Sequence, residues 1–342
     1  MSRLRPYHLY AALLAFACVS GAPSAGRLPE GEGCSDYARA GQEYTAVRMG
    51  VAVRLVLHAD DPQLAATAAR AAFERMSALE AILSDYQPQS ELRTLMRNPG
   101  VWVPASGVLF EVLERSVEVA RLTDGAFDPT VGPLVALWRR ARDSGDGWVA
   151  SQAELDSARA RVGWWKVELD SATGSVRIEP GVMLDLGGVA KGYILAEVAG
   201  VLRELGVRRF LVEAGGDIVV GEPPPGRSGW SIAVRGADSA FAQRAGSLVN
   251  AALSTSGGSV QYVEVAVQRY SHVINPTVGT GAAHGDTWHV IHPDAATADA
   301  LATALSASGG RDAGGVIARF PGALAARVSA PRQAGGWGTS GR

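Results

Sequence analysis

The stretch LDLGGVAKGY, residues 184–193, places the end of a strand directly before the start of a helix. Gly187 and Gly188 permit the sharp turn between the two elements, and helical spacing of apolar residues begins just after them. A turn of this kind presents backbone N–H groups and a helix N-terminus, which favours a bound anion. Lys191 would add a positive charge at the same place. The alternative is an ordinary tight turn with a solvated lysine.

Strand and helix patterns alternate on both sides of this turn. Apolar spacing and capping signals predict helices over 62–83, 106–122, from 151 onward, 192–206 and 296–305. Short apolar runs predict strands over 47–58, 164–169, 176–178, 210–212, 230–234, 260–267 and 288–291. The second and third of these strands are predicted to form a hairpin. The mixture predicts an α+β fold.

The composition is that of a globular protein with a sizeable core. Of the 342 residues, 47% are hydrophobic and 19% are charged, and 32 basic residues are balanced by 34 acidic ones for a formal net charge of −2. A chain of this length suits one large domain or two compact ones. Because no run of lysines or arginines stands out, the charge pattern argues against nucleic acid as a partner.

The N-terminus has the features of an export signal. Arg3 and Arg5 precede an apolar run over 9–19 that is too short for an ordinary transmembrane helix, and small residues follow that run. We therefore expect an exported protein, located in the periplasm or at the outer face of the cytoplasmic membrane. Two forms of processing are open, namely cleavage near Ala25 or attachment of a lipid anchor at Cys18.

These signals divide the chain into four parts. Residues 1–25 form the export signal, which would be a lipoprotein signal under the second alternative, and the Gly- and Pro-containing stretch 26–43 forms a flexible tether. Residues 44–328 form the folded domain. Residues 329–342 form a mobile tail rich in Gly, Ser and Arg.

A second chemical motif lies on the predicted helix over 296–305. Asp299 and Thr303 stand four residues apart and therefore on one helical face, where both present oxygen atoms. A carboxylate and a hydroxyl suit a hard cation such as Mg2+, which keeps several waters and takes few protein ligands beside substrate phosphates. The alternative is a pair of surface residues on an alanine-rich helix.

His272, in the stretch YSHVINP over 270–276, is the best candidate for a general base. The unperturbed pKa of histidine lies close to neutrality, although a structural role is the alternative. The histidines and cysteines do not have the spacing of a zinc site, and the sequence has no GxSxG nucleophile motif. The stretch GAFDPTVGP, over 125–133, is typical of a turn with a proline-fixed corner.

Taken in order along the chain, these stretches closely resemble the ApbE family of exported, Mg2+-dependent FAD:protein FMN transferases. The resemblance spans residues 47–328 and rests on strings that are weak singly and specific together. They are Met49-Gly50, Ser84-Asp85-Tyr86, Ser90-Glu91-Leu92, the run from Gly125 to Trp138, the run from Leu184 to Tyr193, Ala214-Gly215-Gly216-Asp217, Ser254-Thr255-Ser256-Gly257, the run from His272 to Pro276 and the run from Ala298 to Thr303. The resemblance implies a mixed α/β fold with largely antiparallel sheets flanked by helices.

The resemblance also implies roles for individual residues. FAD would lie with its pyrophosphate on the strand-to-helix turn, where Asp185 and Lys191 would contact it. The metal ligands would be the Gly188 carbonyl and the side chains of Asp299 and Thr303. Further contacts to the flavin nucleotide would come from Met49, Tyr86, Ala126, Phe127 and Asp128.

The implied activity is Mg2+-dependent transfer of FMN from FAD to a Thr or Ser hydroxyl of an acceptor protein, with release of AMP. His272 would activate that hydroxyl, and the acceptor would be an exported or membrane-anchored electron-transfer protein. Two alternatives are open. One is an FAD pyrophosphatase that gives FMN and AMP, and the other is a non-catalytic flavin-binding lipoprotein.

The sequence departs from the family pattern at several polar positions. Val51 follows Met-Gly where threonine is usual, and Ala196 replaces an aspartate shortly after Lys-Gly-Tyr. The string Asn275-Pro276-Thr277-Val278-Gly279 stands in place of Asp-Pro-Arg-Thr-Gly. Because Lys191, His272 and the metal pair are unaffected, these departures bear on recognition of the acceptor and on full activity.

Overall fold

The computed structural model describes residues 41–144, 148–257, 262–265, 268–271, 273–281 and 286–329. Cys18 and the rest of the predicted export signal lie outside these ranges, as do His272, most of the predicted tether and all but the first residue of the predicted tail. Within the ranges, no helix combines the length and apolar character needed to cross a lipid bilayer.

Helices and strands are interspersed along the described chain. The helices are α1 (Pro62–Leu83), α2 (Glu91–Met96), α3 (Gly107–Leu122), α4 (Gly132–Asp143), α5 (Gln152–Arg159), α6 (Ala190–Glu204), α7 (Ser239–Ala245), α8 (Ala295–Ser308) and α9 (Ala313–Ala318). The strands are β1 (Gln42–Arg48), β2 (Val51–His58), β3 (Val103–Pro104), β4 (Val167–Asp170), β5 (Ser175–Ile178), β6 (Arg209–Ala214), β7 (Asp217–Val220), β8 (Ala251–Gly257), β9 (Tyr262–Val265), β10 (Gln268–Ser271), β11 (Thr287–His292) and β12 (Leu324–Val328).

Seven of the described strands form one large sheet, in the order β1-β2-β6-β7-β8-β11-β12. Every neighbouring pair in this sheet is antiparallel. Smaller antiparallel sheets join β3, β5 and β4, and β9 with β10. The arrangement confirms the expected mixed fold with antiparallel sheets flanked by helices, and β4 with β5 confirms the predicted hairpin.

The large sheet is covered on both faces, as the alternation within β6 illustrates. Phe210 and Val212 belong to the main hydrophobic core, which the sheet forms with α1, α6 and α8. Leu211, between them, joins a smaller core with Trp230 and Phe241. Successive residues of a strand point to opposite faces, so a strand that is apolar throughout needs cover on both sides. The candidate site lies on the side of the main core.

Local capping signals fix the start of several helices. The side chains of Asp61, Ser106 and Ser151 each accept a backbone N–H from the first turn of the helix that follows. Glu154 completes the predicted capping box at the start of α5. The boundaries of α1 and α3 consequently agree with the prediction to within one residue.

The apolar run over 47–58 is two strands rather than the single strand predicted. Met49 and Gly50, which connect β1 to β2, have φ angles of 53° and 71°. Positive φ at both central residues is the pattern of a type I′ turn, which suits the twist of a hairpin. Methionine is an unusual residue for this conformation, so the usual Asn-Gly or Asp-Gly signal is missing. The partner strand begins at Gln42, inside the stretch predicted as a tether.

The predicted strand over 230–234 is wrong. Only Trp230 makes a β-bridge there, to Leu248, and the next backbone bond in the stretch runs from the Ile232 N–H to the Ala245 carbonyl. Ala245 ends a helix, so no extended partner is present to continue the ladder. Trp230 is instead buried in the smaller core, and Ile232 and Val234 pack against that core partly buried.

Candidate functional site

The two glycine-containing stretches that precede α4 and α6 lie side by side. The Asp185 N–H donates to the Pro129 carbonyl over 2.8 Å, and the Gly132 N–H donates to the Met183 carbonyl over 3.1 Å. A Cβ on Gly132 would lie 2.5 Å from that second carbonyl oxygen, so a side chain at this position would block the approach. The predicted strand before this turn is wrong, because residues 179–189 form only one isolated β-bridge, from Met183 to Val131. The contacts with the stretch before α4 nevertheless hold the chain where it enters the turn before α6.

Lys191, in the first turn of α6, is held between two buried carboxylates. Its ammonium group contacts Asp217 directly and lies 3.9 Å from Asp299 Oδ1. Burial acts to lower the pKa of Lys191, but the negative charges of Asp299 and Asp217 raise it above the ordinary lysine value, so the side chain stays protonated. The Ser254 hydroxyl and the Thr255 N–H donate to Asp217 and fix its position.

Asp299 and Thr303, the predicted side-chain metal ligands, face the turn from α8. Asp299 is 3% exposed, and its Oδ2 accepts the Gly192 N–H over 3.0 Å. A Cβ on Gly188 would lie 2.8 Å from Thr303 Oγ1, so the Gly188 backbone passes close to that hydroxyl. Burial raises the pKa of Asp299 to about 7, against the opposing effect of Lys191.

This arrangement suits a divalent cation. The raised pKa of Asp299 means that Lys191 compensates its buried negative charge only in part. The Thr303 hydroxyl, one helical turn from Asp299 on α8, lies close to the Gly188 backbone. Over the ranges that the structure describes, no three His, Cys, Asp or Glu side chains converge on one point. A cation held by this set would keep room for water and phosphate oxygens, as Mg2+ commonly does.

Asp185 and Tyr86, both predicted to contact FAD, meet at a third residue, Arg139 of α4. Arg139 Nη2 lies 3.2 Å from Asp185 Oδ2, and Nη1 lies 2.6 Å from Asp85 Oδ2. The guanidinium carbon lies 4.3 Å from the centroid of the Tyr86 ring, while Tyr86 is 70% exposed. Burial and the charge of Asp85 raise the pKa of Asp185, while the Gly187 N–H and Arg139 oppose that rise.

The other predicted flavin contacts lie in or beside the main core. Asp128 is 6% exposed, and its carboxylate accepts hydrogen bonds from a threonine hydroxyl and two backbone N–H groups. Both carboxylate oxygens are thus engaged within the protein, where they hold the loop before α4. Phe127 is buried in the main core, and Ala126 and Met49 pack against it partly buried.

The segment that follows His272 is anchored to the end of α8. Asn275 Oδ1 accepts the N–H groups of Thr277 and Val278 over 2.9 and 3.0 Å. Asn275 Nδ2 donates to the Ala307 carbonyl over 2.8 Å. The asparagine that departs from the family pattern therefore shapes this loop through an Asx turn. His272 itself lies outside the residues that the structure describes.

The described chain also contains an apolar cavity of about 100 Å³ between α4 and α5. Leu137, Trp138 and Leu155 line it, together with small residues and Thr280. Among the described residues that line it, none has a charged side chain. A phosphate needs positive charge or several N–H donors, so this cavity lacks the chemistry that the Lys191 turn possesses.

Two residues of this site are not among those predicted from the sequence. Asp217 lies within a string that carries the family resemblance. Its acidic side chain in that string is the feature of the sequence that could have identified it as a site residue. Arg139 lies one residue beyond the resembling run. Its partners are 54 and 46 residues away along the chain, and an ion pair over such distances leaves no periodic pattern in a sequence.

Comparison with known proteins identifies the family. A sequence profile of the ApbE family matches residues 49–328. The protein named FAD:protein FMN transferase from Salmonella typhimurium strain LT2 is 30% identical over 252 residues, which are 70% of this chain and 70% of that protein. The protein of the same name from Escherichia coli K12 is 30% identical over 257 residues, 72% of each chain.

Two solved structures have the same fold. The ApbE protein of Thermotoga maritima MSB8 superposes with a TM-score of 0.72 at 31% identity, covering 83% of this chain and 93% of that one. The flavinyl transferase ApbE of Pseudomonas stutzeri, in its apo form, superposes with a TM-score of 0.71 at 26% identity, covering 85% and 94%. The profile, the sequence relatives and the shared fold agree, and the chain belongs to the ApbE family.

Proposed function

We propose that this chain transfers FMN from FAD to a Thr or Ser hydroxyl of an acceptor protein, with Mg2+ as cofactor and AMP as the second product. One observation carries the proposal above all. The turn that suits an anion and the helix face that suits a cation are in contact, through the Gly192 N–H on Asp299 and the approach of Gly188 to Thr303. Lys191 lies between them.

The reaction would proceed as a phosphoryl transfer. The acceptor hydroxyl oxygen attacks the phosphorus of the riboflavin phosphate in FAD, the bond from that phosphorus to the bridging oxygen breaks, and AMP departs with that oxygen. The hydroxyl proton passes to His272 and then to solvent. The FMN becomes linked to the acceptor through a phosphoester. The protein's contribution is mainly positioning and charge stabilisation.

The chain's own residues divide this work. The N–H groups at the start of α6 and the Lys191 ammonium would hold oxygens of the FAD pyrophosphate. Asp299, Thr303 and the Gly188 carbonyl would hold the metal. When bound there, Mg2+ would neutralise phosphate charge and steady the departing AMP. Asp217 keeps Lys191 in place, because it accepts from Lys191 while two donors of β8 hold it.

We further propose that the protein acts after export, in the periplasm or at the outer face of the cytoplasmic membrane, and that it is soluble after cleavage near Ala25 or lipid-anchored at Cys18. The acceptor would accordingly be an exported or membrane-anchored electron-transfer protein. The support for this part is the N-terminal pattern of two arginines, a short apolar run and small residues.

The experiment measures AMP release and covalent flavin in parallel. The full chain is incubated with FAD and Mg2+, with and without an exported redox domain that carries one candidate threonine. A matched acceptor has valine in place of that threonine. AMP is quantified by chromatography, and protein-bound flavin is detected by fluorescence after denaturing electrophoresis.

The proposal expects AMP and covalent flavin only with the threonine acceptor, and neither product in EDTA. AMP release without acceptor would instead identify an FAD pyrophosphatase. Reversible FAD binding with neither product, across a panel of such acceptors, would identify a non-catalytic flavin binder. Metal binding can be measured separately from activity. Calorimetric titration with Mn2+ gives its affinity for the FAD complex of the wild-type chain, which is compared with its affinity for the FAD complex of Asp299→Asn.

A further inference from the structure

We propose that Arg139 is a positioning residue for FAD, which holds Tyr86 and Asp185 in the geometry that binds the nucleotide. This inference rests on the proposed function, because it assigns Arg139 to the FAD-binding step. The side chain joins three segments that are distant in sequence, namely the loop after α1, helix α4 and the turn before α6. The loop and the turn carry the residues expected to contact the nucleotide.

Both terminal nitrogens of the guanidinium have protein partners. One lies 2.6 Å from Asp85 and the other 3.2 Å from Asp185, and the guanidinium carbon lies over one face of the Tyr86 ring, 4.3 Å from its centroid. Burial acts to lower the pKa of Arg139, but the charges of Asp185 and Asp85 raise it. With both ends on carboxylates, Arg139 is placed to orient other residues rather than to grip a phosphate itself.

Arg139 also controls the charge at an anion site. Asp85 and Asp185 are both largely buried, and the charge of Asp85 is felt at Asp185. Without the guanidinium, two carboxylates would share this space and repel each other as well as the pyrophosphate of FAD. Arg139 therefore holds the turn that contains Asp185 and partly neutralises the charges of Asp85 and Asp185.

Tyr86 is the residue through which this arrangement would reach the nucleotide. It is 70% exposed, so the protein packs against little of it apart from the Arg139 side. An arginine stacked on one face of a tyrosine stabilises the ring position and leaves the opposite face for a planar ligand. FAD contains two planar ring systems, either of which could occupy such a face.

The neighbouring residue Arg140 provides a matched control on the same helix. Its guanidinium stacks on Trp148 at 4.1 Å and lies 3.6 Å from Glu154, so it also combines an aromatic ring with a carboxylate. It points away from the site, and its side chain is 61% exposed. Changing Arg140 thus removes the same kind of contacts outside the proposed machinery.

The test measures the dissociation constant of FAD, by quenching of flavin fluorescence, for Arg139→Met, Arg139→Lys, Arg140→Met and Tyr86→Ala. The double variant Arg139→Met/Tyr86→Ala completes a double-mutant cycle, which measures the coupling of the two residues in FAD binding. Assays contain no metal and no acceptor, and each is run below the melting temperature of the variant, so that only folded protein is compared. Arg139→Lys keeps the charge and the fold but cannot reach both carboxylates.

We expect Arg139→Met to weaken FAD binding by about tenfold, Arg139→Lys to weaken it less, and Arg140→Met to leave it unchanged. Because Arg139 acts through Tyr86 as well as through Asp185, the double variant should lose less binding free energy for FAD than the two single variants lose together. Unchanged FAD binding in Arg139→Met and Arg139→Lys would overturn the inference and leave Arg139 a structural ion pair. Fully additive losses would also overturn it, since they would mean that Arg139 does not act through Tyr86. The absence of FMN transfer by the wild-type chain would refute the proposed function without affecting these binding results.

Discussion

Replacing Asp299 by asparagine should make the metal-free protein more stable while it slows metal-dependent transfer. Asp299 is almost completely buried, and burial raises its pKa to about 7 from an ordinary value of 3.8. The folded protein therefore resists ionisation of this group more than the unfolded chain does. Asparagine has nearly the same shape, and its carbonyl oxygen can still accept the Gly192 N–H that Asp299 accepts over 3.0 Å.

The size of the effect follows from the pKa difference. A rise of about three units, at about 1.4 kcal/mol each, corresponds to about 4 kcal/mol of lost stability when the group is ionised in the folded protein. This loss of stability begins as the pH rises above the pKa that Asp299 has in the unfolded chain. It is complete once the pH exceeds the pKa of Asp299 in the folded protein. At pH 8 we expect Asp299→Asn to raise the free energy of unfolding by about 2–4 kcal/mol, which is about 5 °C in Tm for a domain of this size. At pH 5 less than half of that gain should remain.

The assay is thermal unfolding in EDTA and then with Mg2+ and FAD. Ligands that bind only the folded state should stabilise the wild type, and the variant should lose that stabilisation. Transfer should fall by about 10²–10³. Thr303→Val serves as the control, since it removes a neutral ligand and should lack the gain at pH 8. If Asp299→Asn is less stable than the wild type at pH 8 in EDTA, or keeps its stabilisation by Mg2+, the reasoning about Asp299 fails.

The remaining predictions concern the base, the turn and export. His272→Asn should keep FAD affinity within a fewfold but slow transfer by about 10²–10⁴, measured with saturating FAD, and a loss of transfer that only parallels a loss of binding would remove His272 from catalysis. Gly188→Ala should abolish transfer, because its new methyl group would crowd the hydroxyl on α8, whereas Gly200→Ala, which has open space on α6, should transfer normally in the same assay. Intact-mass analysis of the exported protein should give an N-terminus at a lipidated Cys18 or near Ala25, and a product that retains its first residues would refute export.

Elements with strong local signals could be predicted well from the sequence. Asp61 before Pro62 and the Ser151–Glu154 capping box define helix starts within a few residues, and the structure contains those caps. The Met49-Gly50 turn could not be predicted in this way, because its conformation is imposed by the pairing of β1 with β2 rather than by a favourable residue type. Local patterns also do not predict that both faces of the large sheet are buried, because this depends on which helices pack against each face.

The residues of the candidate site likewise differ in whether a local sequence pattern predicts them or whether they depend on contacts across the fold. Lys191, Asp299 and Thr303 were predicted from spacing within single elements, and the structure brings all three together. Asp217 and Arg139 depend on contacts across the fold, which spacing along one element does not encode. Asp128, which is predicted to contact FAD, also accepts internal hydrogen bonds on both carboxylate oxygens. Residue type alone did not predict those internal bonds.

The contact between α6 and α8 also determines when the protein first becomes competent during folding. Gly192 and Asp299, which meet there, are 107 residues apart, so a long loop must close before the two halves of the site meet. Chains dominated by such distant contacts fold slowly and gain their function late. A nascent chain that ends before α8 would bring neither Asp299 nor Thr303 to the turn. We therefore expect refolding chains to recover tight, Mg2+-dependent FAD binding in one late kinetic phase, together with the docking of α8.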